Sequence, residues 1–295
     1  MRLMNKVAIV TGGASGMGEA ICRKFAKEGA KVVVADYNFE GALKVANEIN
    51  AEILDAATAI KTDVSVETDI NAMIDTAITL YGKLDILVNN AANDQRHQAQ
   101  DVTLEYWNER IAINQRPMFF TCQAVFEGMK RRGGGSIINV SSISWHMKSG
   151  GYPVYATTKA AVVGLTRGLA RDFGAHNIRV NTVTPGWVMT QRQIDLWVDE
   201  AAEVEIKKSQ CLPNKLMPQD IAAMVLFLAS DDGAMCSSQE FIVDAGWMAM
   251  SRDRGTSKQK RDFGYGQVCT VAGMILPGYL MSGANQEHGI IAREG

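Results

Sequence analysis

The chain has 295 residues, 47% hydrophobic and 21% charged, a composition typical of a soluble globular protein with one core of roughly 200 to 250 residues and an appendage. Its 30 basic and 32 acidic residues are spread along the chain and leave a formal net charge of -2, which argues against nucleic acid and against an anionic membrane as partners. Five widely separated cysteines without metal-ligand spacing, and apolar runs shorter than the roughly 20 residues of a membrane span, favour a cytoplasmic protein with reduced thiols, no disulfide and no metal.

Short apolar segments rich in β-branched residues alternate with longer amphipathic segments as far as residue 246. Strands that are apolar on both faces are typical of a parallel sheet covered by helices on each side. The pattern predicts an α/β fold, a doubly wound parallel sheet of about seven strands with helices on both faces (the Rossmann fold), in a single domain over residues 1–250. The predicted strands are 6–10, 31–35, 85–89, 136–141, 178–183 and 240–244, with a weaker candidate at 56–63; the predicted helices are 18–29, 42–50, 66–82, 101–132, 155–174 and 218–230.

The first predicted strand runs directly into the glycine-rich segment TGGASGMG, residues 11–18, and then into a helix. Glycines in this position let the backbone turn tightly and approach a pyrophosphate, with the positive end of the helix aimed at it. The second strand ends at Asp36, at a suitable distance to accept hydrogen bonds from an adenosine ribose. Because a carboxylate repels a 2′-phosphate and residues 37–39 contain no arginine, the predicted cofactor is NAD rather than NADP.

Tyr155 and Lys159 are four residues apart at the start of a predicted helix, so they share one face of it. A neighbouring ammonium favours the phenolate form of a tyrosine and makes it usable as a base. The spacing alone is weak, because it occurs by chance on many exposed helices. Ser142 supports the functional interpretation, since it ends a predicted strand at the edge where such sheets bind ligands.

Residues 251–295 form a predicted C-terminal extension of different composition. A polar and basic segment, 251–262, precedes a glycine-rich stretch with an apolar patch at Met274 to Leu276. The extension could cover another subunit or be loosely ordered, and both interpretations stay open.

These features together resemble the short-chain dehydrogenase/reductase family over residues 5–247. The family pattern TGxxxGxG is met by residues 11–18, the motif NNAG by residues 89–92 with alanine at position 92, and the catalytic four by Asn114, Ser142, Tyr155 and Lys159. The resemblance implies that Tyr155 is the base, that Ser142 orients the substrate oxygen, that Lys159 lowers the tyrosine pKa and holds the nicotinamide ribose, and that Asn114 fixes a water. The cofactor contacts that it implies are Gly12, Ser15, Gly16, Met17, Gly18, Asp36, Asp63, Val64, Asn90, Ala91, Tyr155, Lys159, Pro185, Gly186, Val188 and Thr190.

Three loop segments at the same predicted edge carry groups suited to a polyol, namely 93–97, 144–146 and 190–193. Tryptophan offers a flat face to sugar C–H groups, and the polar side chains offer hydrogen bonds to hydroxyls. In combination, the segments 90–98, 109–124, 133–146, 210–212 and 244–247 resemble bacterial NAD-dependent pentose and hexose 1-dehydrogenases (the D-xylose type). This resemblance implies oxidation of an aldose at C1 to the lactone. The predicted substrate-binding residues are Asn93, Arg96, Ser142, Ser144, Trp145, His146, Tyr155, Trp187, Gln191 and Arg192; His97 and His146 are expected to orient the substrate as donors.

Other interpretations of these residues stay open. Arg96 and Arg116 could make surface or subunit ion pairs, Trp145 could be a packing residue, and an arginine in the pocket could equally bind a sugar acid or a sulfo-sugar. The protein could oxidise another secondary alcohol, or be a catalytically idle NAD-binding regulator. The family resemblance also implies a homo-oligomer, a tetramer or dimer formed through the 101–132 helix and the helix that begins at Tyr155.

Overall fold

A computed structural model describes residues 1–248 of the chain. The predicted extension, residues 251–295 with its apolar patch, lies outside the described residues. Seven strands form one parallel sheet in the order β3-β2-β1-β4-β5-β6-β7, which confirms the predicted doubly wound fold. The strands are β1 (Val7–Thr11), β2 (Lys31–Asp36), β3 (Ala57–Lys61), β4 (Ile86–Asn89), β5 (Gly135–Val140), β6 (Ile178–Pro185) and β7 (Glu240–Val243), so that the weak candidate at 56–63 is indeed a strand.

Nine helices accompany the sheet within the described residues: α1 (Gly16–Lys27), α2 (Phe39–Glu52), α3 (Glu67–Tyr81), α4 (Leu104–Asn114), α5 (Arg116–Arg131), α6 (Pro153–Phe173), α7 (Gln191–Trp197), α8 (Glu200–Ser209) and α9 (Pro218–Ala229). They cover both faces of the sheet. Successive side chains of a strand point to opposite faces, so Ala8 and Val10 of β1 pack in the layer of α1, α2 and α9. Val7 and Ile9 pack on the other side, with α3, α5 and α6.

The prediction of one continuous helix over 101–132 is wrong, because the segment forms two helices, α4 and α5. The break lies at Gln115, whose φ of -123° and ψ of -58° are not those of a helix interior. Pro117 explains the break: it has no N–H for the carbonyl four residues earlier, and its ring crowds that carbonyl. The hydrophobic pattern continues across the break, so periodicity did not reveal it.

A third, smaller apolar cluster lies beyond the carboxyl end of the sheet. It joins Ile143, which follows β5, to Met189 after β6, to Ile206 of α8 and to Trp247. Trp187 packs on it from the side, and its ring centre lies 6.1 Å from that of Trp247. This cluster holds α8 and the residue that follows α7, Val198, beyond the strand ends, where the candidate site lies.

Candidate active site

The predicted site residues converge at the carboxyl edge of the sheet. β1 and β4 are neighbours there, and the chain leaves them toward opposite halves of the sheet. Open α/β sheets bind ligands in the crevice that this reversal creates. The glycine-rich segment follows β1, Asn90 follows β4, Ser142 follows β5, and Pro185 ends β6.

The glycine-rich segment packs tightly against the loop that follows β4. Gly12 has a φ of +67°, and a Cβ on it would lie 2.9 Å from Ala91 Cα. A Cβ on Gly18 would lie only 1.9 Å from the carbonyl oxygen of Gly12. Asn90 connects the two loops, because its Nδ2 donates to the carbonyls of Thr11 (3.0 Å) and Gly12 (3.2 Å). The residues therefore fit a dinucleotide cradle, in which backbone without side chains meets the N-terminus of α1.

The remaining predicted cofactor residues surround this cradle. Ser15, Gly16 and Met17 form the start of α1, and a Cβ on Gly16 would lie 3.1 Å from Cγ2 of Thr190, across the crevice. Asp63 is exposed after β3 and accepts hydrogen bonds from Ser65. Val64 is half-buried beside Asp63, Val188 is buried after β6, and Gly186 approaches the backbone of Asp244.

Asp36 lies at the end of β2 with only 7% of its surface exposed. Its carboxylate accepts hydrogen bonds from the backbone N–H of Ala14 (3.0 Å) and of Asn38 (2.9 Å). The same carboxylate therefore shapes the glycine-rich loop and places a negative charge at the rim of the cradle. The next three residues, 37–39, are Tyr, Asn and Phe, so no basic residue directly follows Asp36 in the chain.

Three of the four predicted catalytic residues meet where β5 and α6 approach each other. Tyr155 is the third residue of α6, and Lys159 lies one turn later with 1% of its surface exposed. Lys159 Nζ donates to the carbonyl of Val140, at the end of β5 (2.9 Å), and lies 5.6 Å from the centre of the Tyr155 ring. Ser142 is half-buried two residues after β5, and its Oγ accepts a hydrogen bond from Ser144 N–H (3.1 Å).

Asn114 is fully buried at the last position of α4. Its Oδ1 accepts from the backbone N–H of Asn93 (2.7 Å), and its Nδ2 donates to the Asn93 carbonyl (3.0 Å). Both side-chain groups of Asn114 are thus used to hold the loop that begins at Asn93.

Burial disfavours the charged forms of both Tyr155 and Lys159. It raises the pKa of Tyr155 above its usual range; the negative charge of Asp94 adds to this, and a hydrogen bond from Ser142 acts against it. Burial lowers the pKa of Lys159 to about 8, while Asp94 acts in the opposite direction. Both shifts favour the uncharged forms, the phenol of Tyr155 and the amine of Lys159.

Among the predicted substrate residues, Arg96 is exposed and lies against two aromatic rings. Its guanidinium lies 4.3 Å from the ring centre of Trp197 and 5.8 Å from that of Tyr152. Within residues 1–248, no carboxylate lies within ion-pair distance of it. The Oγ of Ser144 and the Nε1 of Trp145 are buried and have no hydrogen-bond partner in the described part of the chain. Both atoms are therefore unsatisfied polar groups in this part of the chain.

The other predicted substrate residues are bonded to protein groups. His146 Nε2 lies 3.0 Å from a carboxylate oxygen of Glu240, and its ring centre lies 3.5 Å from that of Trp145, with the two rings tilted by 32°. Trp187 donates to Gln193 at 3.0 Å, and Gln191 donates to Asp195 at 2.6 Å. Arg192 donates to Asp94 at 3.3 Å. No observation tests their assignment to a substrate, which stays a prediction.

Sequence reasoning missed Asp94, Tyr152, Gln193 and Trp197. Asp94 influences both Tyr155 and Lys159, and it accepts hydrogen bonds from Arg192 (3.3 Å) and Gln193 (2.5 Å) of α7. Asp94 lies inside the segment 93–97, so the segment was identified but this residue was not. The contacts of Trp197 and Tyr152 with Arg96 could not be recognised from the sequence, because they form only when α7 and the start of α6 lie on either side of Arg96.

No group of three or more His, Cys, Asp or Glu side chains is arranged to hold a metal ion within residues 1–248. In the same range, every helix is too short or too polar to cross a membrane.

Comparison with known proteins adds two family matches. The family model described as enoyl-(acyl carrier protein) reductase matches residues 12–248. A second model, described as a putative serine dehydratase domain, matches residues 232–295 and so includes the predicted extension.

Individual relatives match the described part of the chain almost end to end. The D-xylose 1-dehydrogenase of Caulobacter vibrioides is 42% identical over 245 residues, which cover 83% of this chain and 96% of that protein. The protein named "Probable galactose dehydrogenase GalD" of Rhizobium meliloti is 40% identical, with 83% and 95% covered. Among solved structures, a 7α-hydroxysteroid dehydrogenase complexed with NADH and 7-oxo glycochenodeoxycholic acid superposes with a TM-score of 0.80 at 34% identity, covering 83% of this chain and 95% of that one.

Proposed function

We propose that the chain, which belongs to the short-chain dehydrogenase/reductase family, oxidises an aldose at its anomeric carbon with NAD and yields the lactone. The chain is an oxidoreductase by its family; the sugar and the cofactor are our inference. The observation that carries it is the convergence of Ser142, Tyr155 and Lys159 at the carboxyl edge of the sheet, in a chain about 40% identical to two proteins named as sugar dehydrogenases. The substrate class is a pentose, a hexose, or a deoxy or sulfo sugar.

In this reaction the nicotinamide, when bound, accepts the hydride that leaves C1. Tyr155 acts as the base in its phenolate form, whose oxygen takes the proton of the C1 hydroxyl. Ser142, which counteracts the raised pKa of Tyr155, orients that hydroxyl. Lys159 is anchored on the Val140 carbonyl and, when charged, favours the phenolate of Tyr155. Because the side chain of Asn114 is used by Asn93, we expect Asn114 to hold a water through its main-chain carbonyl.

Asp36 supports NAD over NADP. Its buried carboxylate is held by two backbone N–H groups, so it cannot turn away from a 2′-phosphate without releasing the loop. We expect at least a tenfold preference for NAD in kcat/KM, equivalent to about 1.4 kcal/mol. Steady-state rates with both cofactors test this, and equal or better efficiency with NADP would contradict it.

Unpaired donors in the segment that follows Ser142, together with Arg96, support a polyhydroxylated substrate. Ser144 Oγ and Trp145 Nε1 are buried without a partner among residues 1–248, and Arg96 is held by aromatic faces rather than by a carboxylate. Leaving buried donors unpaired costs about 1–3 kcal/mol each, which the hydroxyls of a sugar would relieve. A site built in this way should reject analogues that lack or misplace a hydroxyl.

The direct test is an NADH-formation screen across pentoses, hexoses, 6-deoxyhexoses, sugar acids and sulfo-sugars, with detection of the lactone and of the aldonic acid formed from it. Arg96→Ala and Trp145→Ala should each raise the KM for the sugar and leave the KM for NAD unchanged. Arg131→Ala, at the exposed end of α5, is the matched control. Turnover of a simple secondary alcohol, a steroid or an acyl thioester but of no sugar would overturn the substrate assignment.

We propose a cytoplasmic location on the grounds of composition. We also propose that the chain forms a homo-oligomer, either a dimer or a tetramer. Three large apolar side chains on α4 and α5 support an interface, because Leu104 is 76%, Trp107 39% and Phe119 41% exposed. Light scattering of the purified chain tests it, and a monomeric mass at micromolar concentration would contradict it.

A further inference from the structure

We infer that His97 is a positioning residue for the base, because it accepts a hydrogen bond at the N-terminus of the helix that carries Tyr155. The backbone N–H of Val154, one residue before Tyr155, donates to His97 Nε2 at 3.2 Å. The backbone of His97 is fixed to the same turn, since its N–H donates to the carbonyl of Gly151 at 2.7 Å. This inference rests on the proposed function and refines it by adding a residue that acts through Tyr155.

The N-terminus of α6 lacks the usual means of satisfying its first N–H groups. The side chain of Tyr152 at the N-cap position makes no capping hydrogen bond within the described structure, and Pro153 has no N–H. Val154 therefore has the first N–H of the helix that needs an acceptor, and His97 reaches it from 57 residues away in the chain. A helix start with its N–H groups satisfied holds the next residue, Tyr155, in a defined position.

The surroundings of His97 assign its tautomer. Because Nε2 accepts from Val154, the proton of a neutral imidazole resides on Nδ1. Nδ1 lies 2.8 Å from the Tyr106 hydroxyl, which in turn donates to the carbonyl of Gln95 at 3.3 Å. Every donor in this chain of bonds has an acceptor. A doubly protonated imidazole would set an N–H against the N–H of Val154 at the positive end of α6, so only the neutral form supplies the cap.

The loop of residues 93–97 thereby links the base to the rest of the site. Asn93 at one end is held by both side-chain groups of Asn114, and His97 at the other end holds the start of α6. Between them Asp94 accepts hydrogen bonds from Arg192 and Gln193 of α7. Loss of the His97 acceptor would loosen the junction nearest the reacting oxygen.

Two amide variants separate the cap from the other contacts of His97. In His97→Gln the amide oxygen is four bonds from Cα, as Nε2 is, and can accept from Val154. In His97→Asn it is three bonds from Cα, as Nδ1 is, and can reach only the Tyr106 side. We expect His97→Asn to lower kcat about tenfold with an unchanged KM for NAD, and His97→Gln to restore most of it, because only the glutamine oxygen can accept from the Val154 N–H.

Hydrogen exchange followed by mass spectrometry makes the test independent of the substrate. Exchange in a peptide covering residues 150–158 should be several-fold faster in His97→Asn than in wild type or His97→Gln, with peptides from the sheet unchanged. Tyr106→Phe, which removes the partner of Nδ1 and keeps the ring, is the second variant and should show a smaller change in the same direction. Equal exchange and equal kcat in the two His97 variants would overturn the inference. A wild-type protein that is inactive on every sugar would instead overturn the proposed function. The exchange experiment would still test the role of His97 in that case, because it needs no substrate.

Discussion

Gly18→Ala should damage the dinucleotide cradle far more than an alanine in another helix would. The added Cβ would lie 1.9 Å from the carbonyl oxygen of Gly12 and 2.8 Å from Nδ2 of Asn90. A normal carbon–oxygen contact is longer by more than 1 Å, and the nearest atom is backbone, which cannot rotate away. Either the loop after β1 moves or the start of α1 does. Overpacking of this kind costs about 1–3 kcal/mol, and the atoms that move are those that would face the pyrophosphate of the proposed cofactor.

Gly128→Ala is the matched control. Gly128 lies inside α5, and a Cβ there would meet only Ile78 Cδ1 at 4.0 Å, an ordinary contact. Alanine is favoured over glycine in a helix interior by about 1 kcal/mol, so this variant should be as stable as wild type or more so. Urea unfolding and fluorescence titration with NADH measure both effects. We expect Gly18→Ala to lose at least tenfold in NADH affinity and about 1–3 kcal/mol in unfolding free energy. If Gly18→Ala behaved like Gly128→Ala in both measurements, the tight packing of the cradle would be refuted.

Three further predictions concern the catalytic groups. Tyr155→Phe removes only the phenolic oxygen and should lower kcat by about 10² or more with NAD affinity unchanged, so near-normal turnover would show that another group is the base. The negative charge of Asp94 raises the pKa of Tyr155, as burial does, and it also raises the pKa of Lys159. Asp94→Asn removes this charge, so both limbs of the pH–rate profile should move to lower pH. A profile that stays in place would exclude this coupling. Lys159→Met should raise the unfolding free energy at pH 7 by up to about 3 kcal/mol, because the folded-state pKa of Lys159 is lowered to about 8 and the unfolded chain binds that proton more tightly. Wild-type stability should recover as the pH rises from 8 toward 10.5, and a gap between the two proteins that does not narrow there would contradict the assignment.

The geometry of the glycine-rich cradle was predictable because its determinants are local in sequence. The glycines of residues 11–18 lie between a strand and a helix that are each recognisable from their own pattern, and Asp36 ends the next strand. Each of these residues acts mainly through its backbone or through its own position at a strand end. Spacing along the chain is then nearly equivalent to spacing in the fold.

The short helices α7 and α8 were not predicted, although their capping signals are present. Thr190 accepts from Gln193 N–H (3.3 Å), and Asp199 accepts from Ala202 N–H (2.8 Å). The helices bury few apolar residues, so hydrophobic periodicity, the signal on which the other helices depended, is weak in them. A search for capping residues would have found both starts.

The substrate half depends on contacts between distant residues, and residue type alone does not specify them. Asp94 meets Arg192 across 98 positions and His97 meets Val154 across 57, so the pairing exists only after the sheet has brought the loops together. For His97 this difference changes the role that the side chain can have. A histidine in a polar loop suggests a donor to substrate, yet its Nε2 is already an acceptor for the helix that carries the base. The same side chain therefore favours catalysis by holding Tyr155 in place, and any change that frees its Nε2 for a substrate would remove that support.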